Sequence, residues 1–147
     1  MVNQHATFGL LPDCTCYRLR QAARLLSRNY DAFLAECGIS IGQFGLLATI
    51  AAHQGKSISQ IAEALNMDRT TLTRNLIPLQ KLEYIASDSG ADRRTRSVRL
   101  TPEGAKTLKS ALPKWQTAQR KFEKQIGLKQ VKHLNRDLDS LLETFSH

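Results

Sequence analysis

The stretch that decides the fold is residues 57–101, SISQIAEALNMDRTTLTRNLIPLQKLEYIASDSGADRRTRSVRLT. Apolar residues recur at helical spacing over residues 59–65, which predicts a short helix with one apolar edge. Asn66 and Met67 form the turn that follows. Asp68 is a good N-cap, because its carboxylate can accept the free amide hydrogens that open the next helix. The sequence therefore predicts two helices joined by a tight turn.

The second predicted helix spans residues 69–82 and has two different faces. We expect it to bury Leu72, Leu76, Ile77 and Leu79, and we expect Pro78 to bend it. Its other face carries hydroxyl, amide and guanidinium groups, which are the groups that read base edges and phosphates. The residues on that face are Arg69, Thr70, Thr71, Thr73, Arg74 and Asn75.

A basic hairpin follows this helix. Residues 84–87 and 97–100 are short strand candidates, and the loop between them, DSGADRRTR, has no apolar residue larger than alanine. Arg93, Arg94 and Arg96 in this loop suit the minor groove of DNA, whose negative potential attracts guanidinium groups. We expect Asp88 and Asp92 to pair with these arginines rather than to form an acid–base dyad. A helix-turn-helix followed by a basic hairpin is a winged helix, and this one has the features of a DNA-binding element.

The stretch resembles the MarR family (multiple antibiotic resistance regulators), whose members are winged helix-turn-helix transcriptional regulators. The resemblance is carried by DRTTLTR at residues 68–74, DRRTR at 92–96 and LTPEG at 100–104, and it extends over nearly the whole chain. Two residues depart from the family pattern. Glu83 stands where the family usually has glycine, and Ser87 stands where it often has a basic residue. A positive φ at Glu83 would cost about 1 kcal/mol.

The resemblance implies a mainly α fold with a small β-hairpin wing, and a homodimer that binds a pseudo-palindromic DNA site, usually as a repressor. It also implies that the helix residues Arg69, Thr70, Thr71, Thr73 and Arg74 enter the major groove. Arg94, with Arg93, would reach the minor groove, and Arg96 would lie near the phosphates. Family members typically release DNA when a small aromatic or anionic effector binds. The matching pocket positions are Tyr17, Arg20, Phe44 and Trp115, each of which also fits a core or interface role.

The helices outside this stretch predict the dimer independently. Residues 14–37 form a long helix with an apolar stripe, and a last helix follows Gly127. Both stripes lack a place in a small winged-helix core, and each buried leucine-sized side chain contributes about 1.5–3 kcal/mol. We therefore predict a dimer, with an N-terminal arm and dimerisation helix at 1–38, a DNA-binding lobe at 39–101, and a C-terminal linker and dimerisation helices at 102–147. The expected interface residues on the last helix are Val131, Leu134, Leu138, Leu141 and Phe145.

Composition restricts the function classes. The chain has 147 residues, a net charge of +8 and an isoelectric point near 9.8, which favours an anionic partner. No apolar run approaches the roughly 18 residues of a membrane span, and no secretory signal pattern occurs, so we expect a cytoplasmic protein without a membrane partner. The sequence has no glycine-rich phosphate loop, HExxH or GxSxG motif, so we expect neither an enzyme nor a cofactor.

The cysteines offer a second means of regulation. Cys14 and Cys16 open the first predicted helix, and a helix N-terminus favours the thiolate form of cysteine. Organic-peroxide sensors of the same family resemble this chain in having a cysteine near Cys16 and a tyrosine at the position of Tyr30, although Arg20 stands where a second tyrosine is expected. The alternatives are thus a peroxide-sensing repressor that uses Cys16, or incidental thiols at Cys14, Cys16 and Cys37. The Cys-x-Cys spacing with scattered histidines suits zinc poorly.

A competing class of function is a winged helix that serves as a protein-interaction module. In that case the basic wing would be a solvated loop. Salt dependence separates the two classes, because neutralising DNA phosphates makes affinity fall steeply with salt.

Overall fold

The computed structural model describes residue 9 and residues 11–88 and 95–146. Six α-helices and one β-hairpin follow each other along these residues: α1 (Thr15–Leu34), α2 (Ile41–Ala52), α3 (Ile58–Ala64), α4 (Arg69–Lys81), β1 (Ile85–Asp88), β2 (Ser97–Leu100), α5 (Pro102–Ile126) and α6 (Leu128–Phe145). Single 3-10 turns at Leu11–Asp13 and Ala35–Cys37 flank α1. The fold is the predicted one, mainly helical with a two-stranded wing.

Side-chain caps fix where the helices begin. Ser40 and Ser57 each form a capping box, in which the serine hydroxyl accepts the amide hydrogen of Gln43 or Gln60 and the glutamine side chain accepts the serine amide hydrogen. Thr101 caps α5 by accepting the amide hydrogen of Gly104 at 3.0 Å. These caps offset the cost of the unpaired amides at each helix start.

The core lies between the helix-turn-helix, the wing and the neighbouring ends of α1 and α5. Leu47 and Ile50 of α2, Leu72 and Leu79 of α4, and Val98 of β2 are all fully buried in one cluster. Ala111 of α5 closes the same cluster. Burial of apolar surface contributes about 25 cal/mol per Å². The buried side chains of α4 and β2 therefore fix the position of α4 relative to the wing.

Helix α1 joins the core near its C-terminal end, where Leu34 is buried and the helix packs on α5. The Tyr30 hydroxyl donates to Gln119, whose amide donates in turn to Glu123 at 3.0 Å. Burial, and to a lesser extent the charge of Glu123, raises the pKa of Tyr30. A side-chain hydrogen bond therefore joins α1 to α5 near the C-terminal end of α1.

The remainder of α1 and most of α6 expose apolar side chains. On α1 these are Tyr17, Leu19, Leu25 and Leu26, and on α6 they are Leu128, Leu134, Leu141, Leu142 and Phe145.

One expected core residue is exposed, and one predicted interface residue is buried within its own chain. Ile77 is 43% exposed rather than buried, because the inward face of α4 is filled by Leu72, Leu76 and Leu79. Val131 is only 2% exposed within its own chain, so it cannot contribute the expected area to a contact between two protomers.

Within the described residues, no single helix is long and apolar enough to cross a bilayer, although the bent pair Thr15–Cys37 and Ile41–Ala52 meets the criteria of length and composition together.

Candidate nucleic-acid interface

The turn between α3 and α4 orients the candidate recognition helix. Asn66 lies in the left-handed region with φ 50°, a conformation that asparagine tolerates better than most residues. The Met67 amide donates to the Ala62 carbonyl at 2.9 Å, which closes the turn. Helix α4 therefore leaves α3 through a turn held by the backbone.

Asp68 begins α4 as the sequence predicts. Its carboxylate accepts the Thr71 amide hydrogen at 3.0 Å and also accepts the Thr71 hydroxyl hydrogen at 2.9 Å. These hydrogen bonds, and weakly the charge of Arg74, hold the pKa of Asp68 below its usual value. The carboxylate thus remains ionised and bound to the helix start.

This cap changes the role of one predicted DNA contact. Thr71 was expected on the outward face, but it is half-buried and its hydroxyl hydrogen is directed at Asp68. Thr73 is exposed, and its hydroxyl donates to the Arg69 carbonyl one turn earlier. Among the predicted contacts on α4, Arg69, Thr70, Thr73 and Arg74 therefore form the exposed face, whereas Thr71 stabilises the helix start.

The wing is tied to the helix-turn-helix by an isolated β-bridge. Strands β1 and β2 are antiparallel, with Ile85 opposite Leu100 and Asp88 opposite Ser97. Ser57 forms a bridge to Ser97, and the Ile58 amide donates to the Arg96 carbonyl at 3.0 Å. The sequence reasoning missed this contact. The sequence carries no clear signal for it, because only Ser57, a single extended residue at a helix N-cap, forms the bridge.

The same contact brings Arg96 to α4. A groove of about 230 Å³ is lined by Ile58, Arg69, Thr73 and Arg96. Two guanidiniums and a threonine from elements far apart in sequence thus share one exposed surface, which has the cationic and hydrogen-bonding character that phosphates attract.

Asp88 forms its ion pair with Arg99 of β2, not with one of the loop arginines that were its expected partners. Its carboxylate lies 3.5 Å from the Arg99 guanidinium, and both side chains are about half exposed. Arg99 lies opposite Ala86, so Asp88 is its diagonal neighbour across the hairpin, within reach of a long side chain. Asp92, Arg93 and Arg94 lie outside the described residues, and their predicted roles stay predictions.

The base of the wing is held against α5 by a tight backbone contact. Glu83, which stands where the family usually has glycine, has φ 58°, so a cost of about 1 kcal/mol applies to it. The Thr101 hydroxyl donates to the Glu83 carbonyl at 2.6 Å, and the Thr101 amide donates to the Tyr84 carbonyl at 3.0 Å. A Cβ atom at Gly104 would lie 1.9 Å from the Tyr84 carbonyl oxygen, so only glycine fits there.

The four predicted effector-pocket residues do not meet within one chain. Phe44 is buried and stacks on Trp115, with ring centroids 5.8 Å apart and planes at 17°. Tyr17 and Arg20 are exposed near the opposite end of α1, which joins the core at Leu34. At about 1.5 Å per residue, that separation is roughly 20–25 Å along the helix.

The thiols lie where the sequence placed them. Cys14 occupies the N-cap position of α1, and both it and Cys16 are exposed, whereas Cys37 is half-buried beside the core. In the described part of the chain, no cluster of three or more His, Cys, Asp or Glu residues could hold a metal ion.

Comparisons with known proteins agree with this geometry. A family model described as the MarR family matches residues 38–95. The putative transcriptional regulatory protein for the hcr operon of Thauera aromatica is 33% identical over 72 residues, which cover 48% of this chain and 43% of that protein. The chain thus spans about half the length of the curated relatives it matches.

Solved structures cover the chain more fully. The transcriptional regulator MosR of M. tuberculosis, in complex with DNA, is 32% identical with a TM-score of 0.76, over 89% of this chain and 97% of that one. The repressor CouR bound to p-coumaroyl-CoA has a TM-score of 0.82 over 93% of this chain and 97% of that one. Its identity is 21%, so it shows the shared fold alone.

Proposed function

This chain belongs to the MarR family of transcriptional regulators, and we propose that it acts as a dimeric repressor that binds a pseudo-palindromic DNA site. The observation that carries the proposal is the surface on which Arg69 and Thr73 of α4 meet Arg96 of the wing. It is supported by MosR, which was solved in complex with DNA and is similar along nearly its whole length.

On this proposal, the exposed face of α4 enters the major groove. Arg74 and Arg69 would contact base edges or phosphates, and Thr70 and Thr73 would add hydroxyl contacts. Arg96 would neutralise a phosphate, and Arg93 and Arg94 would extend the wing into the minor groove. Thr71 would act indirectly, by keeping Asp68 at the helix start.

The exposed apolar faces of α1 and α6 support the dimer. Leu134 is 42% exposed and Phe145 is 74% exposed, and Leu141 lies between them on the same helix. A second protomer would remove this surface from water, at about 1.5–3 kcal/mol for each large side chain. Two recognition helices related by the two-fold axis would then meet half-sites roughly 34–36 Å apart.

We propose that release from DNA follows binding of a small aromatic or anionic effector. Tyr17 and Arg20 lie far from Phe44 and Trp115 within one chain, so a pocket that uses all four residues would require the second protomer.

A thiol switch is the second candidate for release, and one observation favours it: Cys14 and Cys16 are both exposed at the start of α1. A peroxide would oxidise one thiolate to a sulfenic acid and be reduced to water or an alcohol. The second thiol would then displace water to form a disulfide. Side chains at i and i+2 point to different faces of a helix, so this bridge would unwind the first turn of α1.

Peroxide titration of DNA binding separates the two candidates. The thiol switch predicts that stoichiometric peroxide releases wild-type protein from DNA but does not release Cys16→Ser. Indifference of the wild type to peroxide would eliminate the switch and leave the effector.

Salt dependence tests the DNA-binding proposal against a protein-interaction module. Purified protein should bind a labelled duplex from its own upstream region, and its affinity should fall steeply between about 50 and 200 mM salt, by a factor on the order of 10³ or more if six or more phosphates are contacted. Arg96→Ala should reduce the salt slope by about one. Arg136→Ala is the matched control, since it removes the same charge from the exposed surface of α6. Absence of any binding at low salt, to this duplex or to a random one, would refute the proposal.

A further inference from the structure

The C-terminal end of α6 contacts the turn that orients α4. The Ser146 hydroxyl donates to the side-chain oxygen of Asn66 at 2.8 Å, across 80 residues of sequence. The same hydroxyl lies 2.5 Å from the Leu142 carbonyl oxygen, and the Ser146 amide donates to that carbonyl at 2.8 Å. The last turn of α6 therefore fixes the hydroxyl that contacts Asn66.

This contact borders a groove of about 600 Å³ between α6 and the helix-turn-helix. One side of the groove is formed by Phe145 and Ser146, and the other by α3, by the turn at Asn66 and Met67, and by Arg69 of α4. The end of α6 thus adjoins both the turn and the start of the helix that is proposed to read DNA.

The turn at Asn66 determines the direction in which α4 starts. Its backbone is held by the Asn66 amide, which donates to the Glu63 carbonyl at 3.0 Å, and by the Met67 amide, which donates to the Ala62 carbonyl at 2.9 Å. The 13 residues of α4 span about 20 Å, so a rotation of about 5° at the turn would move its far end by about 2 Å. A displacement of that size exceeds the range of hydrogen-bond distances to base edges.

The other end of α6 is anchored as well. Val131 in its first turn is only 2% exposed, and the Gly127 amide donates to the Glu123 carbonyl at 2.8 Å, where α5 ends. The 18 residues of α6 span about 27 Å. Helix α6 is therefore a strut between the end of α5 and the turn before α4.

We propose that Ser146 is a positioning residue for DNA reading and acts through Asn66. The core fixes the inward face of α4, and the Ser146 hydroxyl fixes the turn from which α4 starts. DNA binding then needs to order less of the turn, which raises affinity. This role rests on the proposed function. Because α6 also carries the exposed apolar face assigned to the dimer, the same strut relates the direction of α4 to the packing of the second protomer.

Nuclear magnetic resonance of the ¹⁵N-labelled full chain tests the contact itself. Ser146→Ala removes only the hydroxyl and should shift the side-chain amide signals of Asn66 and the backbone amide signal of Met67. Ser146→Thr keeps a hydroxyl and should leave these signals near their wild-type positions. Ser140→Ala is the matched control, because it makes the same change at an exposed position of α6 outside the groove. Unchanged Asn66 signals in Ser146→Ala would show that the contact does not form in solution.

DNA affinity tests the positioning role. Ser146→Ala should weaken binding to the preferred duplex about two- to tenfold, the factor that one hydrogen bond contributes. Binding to a random duplex should weaken less, since it depends mainly on phosphate charge. Ser146→Thr should restore the affinity, and Ser140→Ala should not change it. The urea midpoint and the sedimentation of all three variants should match wild type, which excludes loss of the fold or of the dimer as the cause.

Three results would overturn the positioning role: equal losses on both duplexes, shifted Asn66 signals without any loss of affinity, or tighter binding by Ser146→Ala. Tighter binding would mean that the contact holds α4 away from the direction that DNA requires.

A double-mutant cycle assigns the effect to Asn66. Asn66→Gly removes the side-chain acceptor and keeps the left-handed backbone accessible. If Ser146 acts through Asn66, the double variant should bind the preferred duplex no more weakly than the weaker-binding single variant. Additive losses would show that Ser146 acts elsewhere. If wild type binds neither duplex, the proposed function fails and the positioning role fails with it, whereas resonance still shows whether Ser146 contacts Asn66.

Discussion

The contact between Gly104 and Tyr84 gives the sharpest stability prediction. Gly104 lies in the first turn of α5, where an added Cβ would stand 1.9 Å from the Tyr84 carbonyl oxygen and 2.8 Å from its carbon. Both neighbours are backbone atoms, so no side-chain rotation can relieve the clash. Gly104→Ala must therefore move α5 away from the base of the wing.

The magnitude follows from what that movement disturbs. Overpacking a closely packed site costs about 1–3 kcal/mol. The Thr101 amide bond to the Tyr84 carbonyl, now 3.0 Å, would lengthen, and such a bond contributes about 1 kcal/mol. The better helix propensity of alanine offsets up to about 1 kcal/mol. We expect a net loss of about 1–3 kcal/mol, a large part of the roughly 5–15 kcal/mol typical of a domain.

Urea unfolding followed by circular dichroism measures this loss. Gly45→Ala is the matched control, because it makes the same chemical change in a helix where the added methyl meets nothing within 4 Å. The control should be stabilised by up to about 1 kcal/mol. All variants must be compared at one protein concentration, since dimerisation would make apparent stability depend on it. A Gly104→Ala protein as stable as Gly45→Ala would refute the close-approach argument.

Three further predictions concern the backbone, the helix cap and the dimer. Glu83→Gly removes the strain of a φ of 58° and should stabilise the fold by about 0.5–1 kcal/mol. Asn66→Gly should stabilise it less, because asparagine tolerates its φ of 50°. Urea midpoints that rank the two variants the other way would contradict this prediction. Hydrogen bonds from Thr71 lower the pKa of Asp68. The stability advantage of wild type over Asp68→Asn should therefore be complete above about pH 4, and it should disappear as the pH falls through the lowered pKa. An advantage that grows in acid would contradict this prediction. Deleting every residue after Lys132 removes most of the exposed apolar face of α6 and should give a monomeric or insoluble protein; sedimentation of the truncated chain as a stable dimer would place the interface elsewhere.

Features of the fold that depend on local chemistry could be predicted from the sequence. Asp68 caps α4 because an acceptor at that position pairs with the amide three residues on. Within β2, alternation places Val98 inward and Arg99 outward. Each of these features is determined by residues within a few positions of one another.

Features that depend on competition between distant groups could not be predicted. Ile77 is apolar and at helical spacing, but Leu76 and Leu79 already fill the inward face of α4. Asp88 could reach several arginines, and the strand register alone brings Arg99 beside it. The four predicted effector-pocket residues lie apart within one chain. Their separation could not be predicted because the sequence does not show where along α1 the core begins.

The residue-level role of Thr71 illustrates a limit within the site itself. Its type and position suit base reading, yet its hydroxyl is already committed to Asp68. A hydroxyl at the third position of a helix can serve the cap or the DNA, and helical periodicity does not distinguish the two roles.

The most direct test of the central claim compares Arg74→Ala with wild type on two duplexes, the preferred operator and a random sequence of equal length, at one salt concentration. If α4 reads bases through Arg74, the substitution should cost about 1–3 kcal/mol on the operator and much less on random DNA, so the ratio of the two affinities should fall roughly 10-fold or more. Arg136→Ala should leave that ratio unchanged, because Arg136 lies on the exposed face of α6. Equal losses on both duplexes for Arg74→Ala would contradict the assignment of α4 as the helix that reads sequence.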